Sequence, residues 1–429
     1  MRNKQLMFII YDLFFLIFAI VYLPIYLFKG KFHQGFLNRL GFLPAVHDLN
    51  QPIWIHAVSV GEVLVVRSLF EQLKNIYPNK KFVVSTVTPT GNSIARKFVG
   101  QGDLLIYLPL DFSFIISGVI RKIDPALVII AETELWPNFI SSLNKNKIPL
   151  VIVNGRISDN SFSGYQKIKF LIRPILNKIS LFCVQSQTDA LRLKVLGVDS
   201  DKVKISGNMK FDIRPPARSA QDYAIYRQKL LLGADDMLLV CGSTHPGEED
   251  ALISIYKKLL KDFPKLKILF APRHPQRSQE IGRLILASGF RPLFVSCGIK
   301  ECTSCCSRPV FVLDQIGHLF DFYNAADIVF VGGSLVKKGG HNILEPASLK
   351  KPVVFGPQMF NFRDIANLFV ENKAALKALD AFDLEVKIRL LLQDKDLARQ
   401  MGKRAFDLLE QSSGATARNL ELIKNFIRS

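Results

Sequence analysis

The stretch of residues 328–355 restricts the possible folds of this chain more than any other. It holds two apolar runs, residues 328–331 and 352–355, separated by paired glycines, a basic turn and a short helical pattern over residues 342–349. Two apolar runs joined by a helix are typical of a βαβ unit in a parallel sheet. Glycines at the carboxyl end of the first run allow backbone N–H groups to approach a phosphate, so we expect a nucleotide to bind at this edge of the sheet.

Asn342 and Glu345 lie three residues apart at the start of that helical pattern. This is the spacing of a capping box, and Pro346 is tolerated in a first helical turn. A carboxylate behind a glycine turn can also accept hydrogen bonds from both hydroxyls of a ribose. The two interpretations are compatible, and the sequence leaves both open.

The same alternation of strand-like and helical patterns runs through the chain in two sets. The strand-like runs of the first set are residues 53–57, 82–86, 104–107, 127–131, 150–154, 181–184 and 203–206. Those of the second set are residues 238–241, 267–271, 291–295, 309–313, 328–331 and 352–355. A chain of 429 residues with 49% hydrophobic composition exceeds one ordinary core and fits two domains. The stretch around Pro215 and Pro216 is the predicted linker between them.

An apolar stretch at the amino end, residues 7–28, is about as long as a helix that spans a bilayer core. No small-residue cleavage site follows it, which favours a membrane anchor over a cleaved signal peptide. Asp12 would be costly deep in the bilayer and Pro24 would kink a helix. The sequence therefore predicts an anchor without deciding whether it spans the membrane or lies in the interface.

The formal charge of +19 and a pI near 9.6 indicate an acidic partner: nucleic acid, anionic lipid or a phosphorylated substrate. The cations are scattered along the sequence, whereas a nucleic-acid-binding surface concentrates them on one face. One helical pattern carries Lys167, Lys169, Arg173 and Lys178. It could lie against anionic headgroups of a membrane surface, or it could simply be a solvated helix face.

Charged side chains directly follow several of the predicted strands. Glu62 follows the first strand, Glu132 the fourth and Lys210 the seventh. The carboxyl ends of parallel strands share one edge of the sheet, where ligands bind. Glu62 is either a first-turn helix charge or a base that removes a proton from a substrate hydroxyl. In the second set Arg273 follows a strand, where it is either a surface charge or a phosphate ligand.

Four cysteines, Cys297, Cys302, Cys305 and Cys306, could surround a zinc ion. They lack a second regular Cys-x-x-Cys pair and lie between two strand-like runs, so a variable loop in a reducing cytosol is the preferred interpretation. Neither Gly-x-Gly-x-x-Gly nor a P-loop occurs, which disfavours a dehydrogenase or an NTPase. No convincing metal pair accompanies the nucleotide-binding edge, so we expect no metal and no cofactor.

The chain contains seven short motifs. They are Ser59-Val60-Gly61-Glu62, Thr88-Pro89-Thr90-Gly91, Glu132-Thr133-Glu134-Leu135-Trp136-Pro137-Asn138, Lys210-Phe211-Asp212, Ser243-Thr244-His245-x-Gly247-Glu248-Glu249, Pro272-Arg273-His274-Pro275, and Gly332-Gly333-Ser334-Leu335 continuing to Glu345. In order and spacing, over essentially the whole chain, they closely resemble the motifs of the Kdo (3-deoxy-D-manno-octulosonic acid) transferases, glycosyltransferase family 30.

The resemblance implies an α/β fold of the GT-B type, with two doubly wound Rossmann-like domains facing a cleft and an N-terminal membrane-anchor helix. On this basis we expect an anchor at residues 1–29, an acceptor-binding domain at 30–212, a linker at 213–224 and a CMP-sugar-binding domain at 225–405. A C-terminal helix at 406–429 could return to the first domain.

The resemblance also implies that Kdo is transferred from CMP-Kdo to a lipid A precursor (lipid IVA) at the cytoplasmic face of the inner membrane. The implied reaction is inverting and metal-independent. Glu62 matches the general base of the family, and Glu132 and Lys210 match residues that stabilise the transition state. The positions that match CMP contacts are Arg273, His274, Ile316, Gly317, His318, Asn342, Ile343, Leu344 and Glu345.

One motif departs from the family pattern: Ile316-Gly317-His318 stands where Met-Gly-Glu is usual. A backbone contact to the nucleotide can be retained there, but a carboxylate contact cannot. A GT-B transferase that uses another nucleotide sugar is therefore the nearest alternative. A basic, membrane-associated nucleic-acid-binding protein is the alternative from another class.

Overall fold

Two seven-stranded sheets, each built only of parallel strand pairs, organise the chain. The computed structural model describes residues 11–13, 16, 35–44, 49–212, 219–297 and 308–427. The chain divides into two compact units: the first comprises Met1–Ile213 and Ser412–Ser429, and the second comprises Arg214–Gln411.

The first unit has the strand order β3-β2-β1-β4-β5-β6-β7. Its strands are β1 Ile53–His56, β2 Phe82–Thr86, β3 Leu104–Tyr107, β4 Leu127–Ala131, β5 Leu150–Gly155, β6 Leu181–Val184 and β7 Val203–Ile205. Its helices are α1 Phe36–Arg39, α2 Val60–Ile76, α3 Pro89–Ala95, α4 Ser113–Ile123, α5 Pro137–Lys145, α6 Asp159–Lys167, α7 Lys169–Leu176 and α8 Gln187–Val195. The strand order reverses between β1 and β4, and such a switch point is where open α/β sheets bind ligands.

The second unit has the strand order β10-β11-β9-β8-β12-β13-β14, which reverses between β8 and β12. Its strands are β8 Met237–Thr244, β9 Leu266–Pro272, β10 Arg291–Phe294, β11 Pro309–Val312, β12 Ile328–Val331, β13 Val353–Phe355 and β14 Leu376–Lys377. Its helices are α9 Ala220–Lys229, α10 Glu248–Leu259, α11 Ser278–Ala287, α12 Leu319–Ala325, α13 Leu344–Ser348, α14 Arg363–Glu371, α15 Ala381–Gln393 and α16 Lys395–Ser412, the last ending where the chain passes to the first unit.

The central strands β1, β4, β8 and β12 are almost entirely buried because both faces of each sheet are covered. In β1, Trp54 packs in the core on one face of the sheet, while Ile53 and Ile55 pack in the core on the other. The Trp54 ring meets Phe139 edge-on, and its indole N–H donates to Ser85 Oγ at 2.8 Å. This packing fixes the register of β1 and therefore the place where β1 ends and the loop at its carboxyl end begins.

The last helix, α17 (Ala415–Lys424), belongs to the first unit. Its apolar side chains Ala415, Leu420 and Ile423 join the core beside β1 and α2. The Asp212 carboxylate accepts the N–H of Gly414 at 2.6 Å and the N–H of Thr416. These bonds cap the amino end of α17 and hold the returning chain against the turn that carries Lys210.

Two predicted helices differ from the structure. The basic helical pattern is two helices, α6 and α7, that break at Ile168. The helix predicted at residues 342–349 begins only at Leu344. The Asn342 side chain accepts the N–H of Leu344 at 3.0 Å and so forms an Asx-turn before the helix. The capping box, one of the two interpretations that the sequence left open, is not formed, because Asn342 is not the N-cap of α13, although its Nδ2 donates to Glu345 at 3.2 Å.

Most of the predicted anchor lies outside the described residues, but Tyr11 and Asp12 are described. Asp12 accepts hydrogen bonds from the Ser113 N–H at 3.2 Å, the Ser113 hydroxyl at 2.5 Å and Asn138 Nδ2 at 2.7 Å. Tyr11 donates to the buried Asp111 at 3.1 Å. Asp12 therefore has polar partners at the first turns of α4 and α5. In the part of the chain that the structure describes, no helix combines the length and the apolar character needed to cross a bilayer.

Candidate active site

Glu62 lies in the first turn of α2, beside the carboxyl end of β1, and is 8% exposed. Its carboxylate accepts the Val58 N–H at 2.8 Å and the Ser59 hydroxyl at 2.8 Å. Burial raises the pKa of Glu62 to about 7; the Val58 bond opposes this shift, and the charge of Glu132 adds to it. A carboxylate that is about half ionised near neutral pH can accept a proton from a hydroxyl.

Ser59 is also the N-cap of α2, where its Oγ faces the Glu62 N–H at 3.5 Å. Glu62 thus lies at the N3 position, three residues into the helix, with its carboxylate turned back toward the residues that precede the helix. The sequence left two roles open for Glu62, a charge in the first helical turn and a base, and this one geometry is compatible with both. The helix start fixes the carboxylate, and the helix N-terminus favours its negative charge.

Glu132 and Lys210 lie together in the same unit, with Nζ of Lys210 3.5 Å from Oε1 of Glu132. Glu132 directly follows β4 and has a φ of +57°, in the left-handed region, which is uncommon for residues other than glycine. Its N–H donates to the Val153 carbonyl at 2.9 Å. The turn that carries Lys210 is held by Asn154, whose Oδ1 accepts the Met209 N–H at 2.9 Å. The structure therefore brings the three predicted catalytic residues to one edge of one sheet.

In the second unit, Arg273 and His274 are exposed in the loop after β9. The Arg273 N–H donates to the Thr244 carbonyl at 3.0 Å, which fixes this loop to the end of β8. Burial raises the pKa of Glu345, while Asn342 and the positive charge of Arg273 oppose that shift. Arg273 and Glu345 therefore belong to one cluster of interacting charges.

Ile343 and Leu344 have buried side chains, so at these positions only backbone groups are suited to contact a nucleotide. Ile316, Gly317 and His318 lie in the loop between β11 and α12. The Ile316 side chain is 80% exposed and Gly317 has a φ of +96°. Nδ1 of His318 is 3.6 Å from Asp321, so the residue in the usual place of a glutamate faces a carboxylate of its own chain.

The glycine turn after β12 differs from the prediction, because its donors are already bound. The N–H groups of Gly333, Ser334 and Leu335 donate to the Glu248 carboxylate at 2.7, 3.0 and 2.9 Å. The same carboxylate accepts the His245 N–H at 2.9 Å. A fully buried side-chain anion therefore occupies the position where we expected a phosphate.

Sequence reasoning missed His245 and His341, whose Nε2 atoms are 2.9 Å apart at this edge. Both lie inside motifs already recognised, two residues before Gly247 and directly after Gly340, but they are 96 residues apart in the chain. No group of three or more His, Cys, Asp or Glu side chains within the described ranges is arranged to hold a metal ion. Of the four clustered cysteines only Cys297 is described, and it is exposed.

Comparison with known proteins identifies the family. The sequence model of a family described as 3-deoxy-D-manno-octulosonic-acid transferase (kdotransferase) matches residues 34–213. The 3-deoxy-D-manno-octulosonic acid transferase of Haemophilus influenzae is 35% identical over 399 residues, which cover 92% of each chain. This chain belongs to the Kdo transferase family. The enzyme of the same name from Chlamydophila psittaci is 32% identical and spans 99% of this chain and 98% of its own.

Two solved structures with similar folds are much more distant in sequence than these two Kdo transferases. Anabaena HepE, in complex with UDP and glucose, has a TM-score of 0.56 at 14% identity and covers 88% of this chain and 99% of its own. UDP-GlcNAc 2-epimerase from Neisseria meningitidis, bound to UDP-GlcNAc, has a TM-score of 0.56 at 11% identity and covers 87% of this chain and 100% of its own. These similarities concern the fold alone. Together with the two parallel-sheet units, they establish a GT-B fold for this Kdo transferase family member.

Proposed function

We propose that this glycosyltransferase transfers Kdo from CMP-Kdo to a lipid A precursor such as lipid IVA, with inversion at the anomeric carbon and with Glu62 as the general base. The observation that carries the proposal is the Glu62 carboxylate, held by two hydrogen bonds at the switch point of the first sheet with a pKa of about 7. Family membership supports Kdo as the transferred sugar.

In the proposed reaction, Glu62 takes the proton of the acceptor hydroxyl while the oxygen of that hydroxyl forms a bond to the anomeric carbon of Kdo. The bond from that carbon to the phosphate oxygen breaks, and CMP leaves with the bonding electron pair. Lys210 and Glu132 are proposed to stabilise the transition state on the first unit. The cationic loop with Arg273 and His274 is proposed to bind the CMP phosphate and stabilise the leaving group electrostatically, without a metal.

The acceptor is an anionic lipid, so we propose that the enzyme works at the cytoplasmic face of the inner membrane. Support comes from the junction of α6 and α7, where Phe170 is 74% exposed and Ile168 and Leu171 are exposed beside it. Lys167 and Lys169 are exposed at the same junction. Apolar side chains flanked by cations are suited to the headgroup region of an anionic membrane. The apolar stretch of residues 7–28 is proposed to add an anchor.

The test replaces Glu62 by Gln, which removes the base but keeps the size and shape of the side chain. We expect transfer from CMP-Kdo to a lipid A precursor to fall roughly 100-fold to 10,000-fold, the range that a positioned general base contributes. Mass spectrometry of the lipid product gives the rate, and calorimetry with CMP should show unchanged binding.

Glu134→Gln is the matched control, because Glu134 also lies in the cluster whose charges act on Glu62 but has no proposed proton-transfer role. Near-normal turnover by a folded Glu62→Gln variant would disprove the role of Glu62. The number of added Kdo residues would be read from the same spectra. Transfer of a different sugar in preference to Kdo would favour the alternative donor that the His318 substitution leaves open.

A further inference from the structure

His245 and His341 meet in the second unit, at the carboxyl ends of β8 and β12. Their Nε2 atoms are 2.9 Å apart, the ring planes differ by 6° and the ring centroids are 5.1 Å apart. These values occur together only when the rings lie nearly in one plane and face each other through Nε2. The contact is therefore a direct hydrogen bond between the two imidazoles.

Backbone packing fixes this pair from two sides. A Cβ at Gly333 would lie 3.1 Å from His341 Nε2 and 3.3 Å from His245 Cδ2, and the φ of Gly333 is +67°. Glycine at this position thus leaves room for both rings. Glu248 binds the N–H groups of His245 and Gly333 with one oxygen, so a single buried carboxylate positions the loop of one histidine and the turn beside the other.

The charges that act on the pair are mainly positive. They come from Lys338 in the loop after β12, from Arg273 and His274 in the loop after β9, and from Arg277, which is itself paired with Glu249 and Glu280. Burial lowers the pKa of His341 to about 4, and Arg273 and the neighbouring imidazoles contribute to that shift. Burial and the charge of Lys338 lower the pKa of His245. Both rings are therefore neutral at pH 7 when no anion is bound.

The hydrogen bond limits how many protons the pair can hold. One ring must carry a hydrogen on Nε2 and the other must offer a lone pair there. Adding one proton at the free Nδ1 of the donor ring gives an imidazolium and keeps the bond. Adding a second proton places hydrogens on both Nε2 atoms and breaks the bond, so the intact pair takes up one proton at most.

We propose that His245 and His341 form a single proton-accepting unit that binds the phosphate of the donor nucleotide and takes up one proton as the phosphate binds. The inference rests on the proposed function, because it takes a nucleotide phosphate to be the ligand of this unit. Arg273 acts electrostatically on both rings, so a phosphate bound at Arg273 also acts on the pair. An opposite charge within about 4–6 Å raises an imidazole pKa by roughly 1–3 units, which counteracts the effect of the surrounding cations.

The experiment follows the charge state of the rings by NMR of the full-length enzyme with ¹⁵N-labelled histidine at pH 7.0. The chain has seven histidines, and spectra of the ligand-free His245→Gln and His341→Gln variants assign the two of interest. We expect both rings to be neutral in the free wild-type enzyme and one to become an imidazolium at saturating CMP. Cytidine, which lacks the phosphate, should leave both rings neutral.

Calorimetry tests the same linkage through affinity. The CMP affinity of the wild type should fall as the pH rises from 6 to 8, beyond the change due to titration of CMP itself. His341→Gln, whose amide can hydrogen-bond but cannot bind a proton in this range, should bind CMP more weakly at pH 6 and show a flatter pH dependence. A merely structural histidine pair would give the same pH dependence in both proteins.

Two results would overturn the inference while leaving the proposed function intact: saturation of the wild type by CMP with both rings still neutral, or ring signals that respond to zinc and EDTA but not to CMP. Failure of the wild type to bind CMP at all would overturn the proposed donor site, and this inference with it.

Discussion

At the scale of single residues, the proposed chemistry of the first unit depends on opposing effects on the pKa of Glu62. Burial raises the pKa of its carboxyl group, whereas the Val58 N–H and the Ser59 hydroxyl stabilise the ionised form. A fully solvated carboxylate would be a weaker base, and a buried one without donors would stay protonated at neutral pH. The two hydrogen bonds thus place the pKa where a general base is useful.

Ser59→Ala tests this balance. Loss of the hydroxyl removes a hydrogen bond that favours the ionised form, so the pKa of Glu62 should rise above its wild-type value of about 7. The base acts when deprotonated, so kcat/KM should increase with pH through this pKa, and the variant should need a higher pH to reach its plateau. Rates between pH 6 and pH 9 measure the shift. If kcat/KM of the Ser59→Ala variant rose over the same pH range as that of the wild type, the role of Ser59 would be contradicted.

At the scale of secondary-structure elements, Glu248 links the start of α10 to the turn after β12. Glu248→Gln would place an amide NH₂ against some of the four N–H groups that now donate to the carboxylate. We expect the free energy of unfolding of the second unit to fall by about 3 kcal/mol, since donors left unpaired in a buried site are costly. Urea denaturation followed by circular dichroism measures the change.

Glu249→Gln is the matched control for this prediction. Glu249 is equally buried, but its carboxylate pairs with Arg277 at 2.9 Å instead of with a backbone turn. We expect this variant to lose less stability, because Arg277 keeps its second partner, Glu280, and the amide oxygen of Gln can still accept a hydrogen bond. Equal losses in the two variants would show that Glu248 has no special role in fixing the turn.

Most strands were predictable because each is a short, mostly apolar run. Residues 82–86, 104–107, 127–131 and 181–184 are strands with the predicted bounds. The two-residue strand β14, which pairs with β13 alone among the described strands, was missed because so short a run gives no periodic signal. The break between α6 and α7 and the late start of α13 depend on local backbone conformation at Ile168 and Asn342, which apolar periodicity does not reveal.

The candidate site was predictable only in part. Residues that follow strands could be placed at one edge, since parallel strands end together. The occupant of the glycine turn could not be predicted, because Glu248 lies 85 residues before Gly333. The histidine pair and the bonds of Asp12 to Ser113 and Asn138 join positions even further apart in sequence. Such contacts arise from tertiary packing, which a single sequence does not record.

At the scale of the whole molecule, the membrane proposal predicts that exposed Phe170 contributes to membrane binding and that exposed Phe382 does not. Phe170→Glu removes one inserted aromatic side chain, so it should weaken the free energy of binding of the full-length enzyme to anionic liposomes by about 2 kcal/mol. The partition coefficient should then fall roughly thirtyfold. Phe382→Glu is the control, because Phe382 is 73% exposed and belongs to the second unit. Liposome flotation gives both values.

The salt dependence of liposome binding is a second test of the junction of α6 and α7. The contribution of Lys167 and Lys169 should weaken as the screening length falls to about 3 Å at 1 M salt, whereas the contribution of Phe170 should persist. Equal binding by the two Glu variants would show that the junction of α6 and α7 does not contact lipid.

The Asp212 carboxylate has a consequence for how this enzyme is assembled from parts. Asp212 is the last described residue before the chain enters the second unit, and its carboxylate binds the N–H groups of Gly414 and Thr416, where the chain comes back. The points of departure and return are therefore in direct contact within the first unit. In terms of chain architecture, the whole second unit is an insertion between two adjoining positions of the first. The first unit therefore completes its own sheet and its terminal helix from the two segments of chain that flank this insertion.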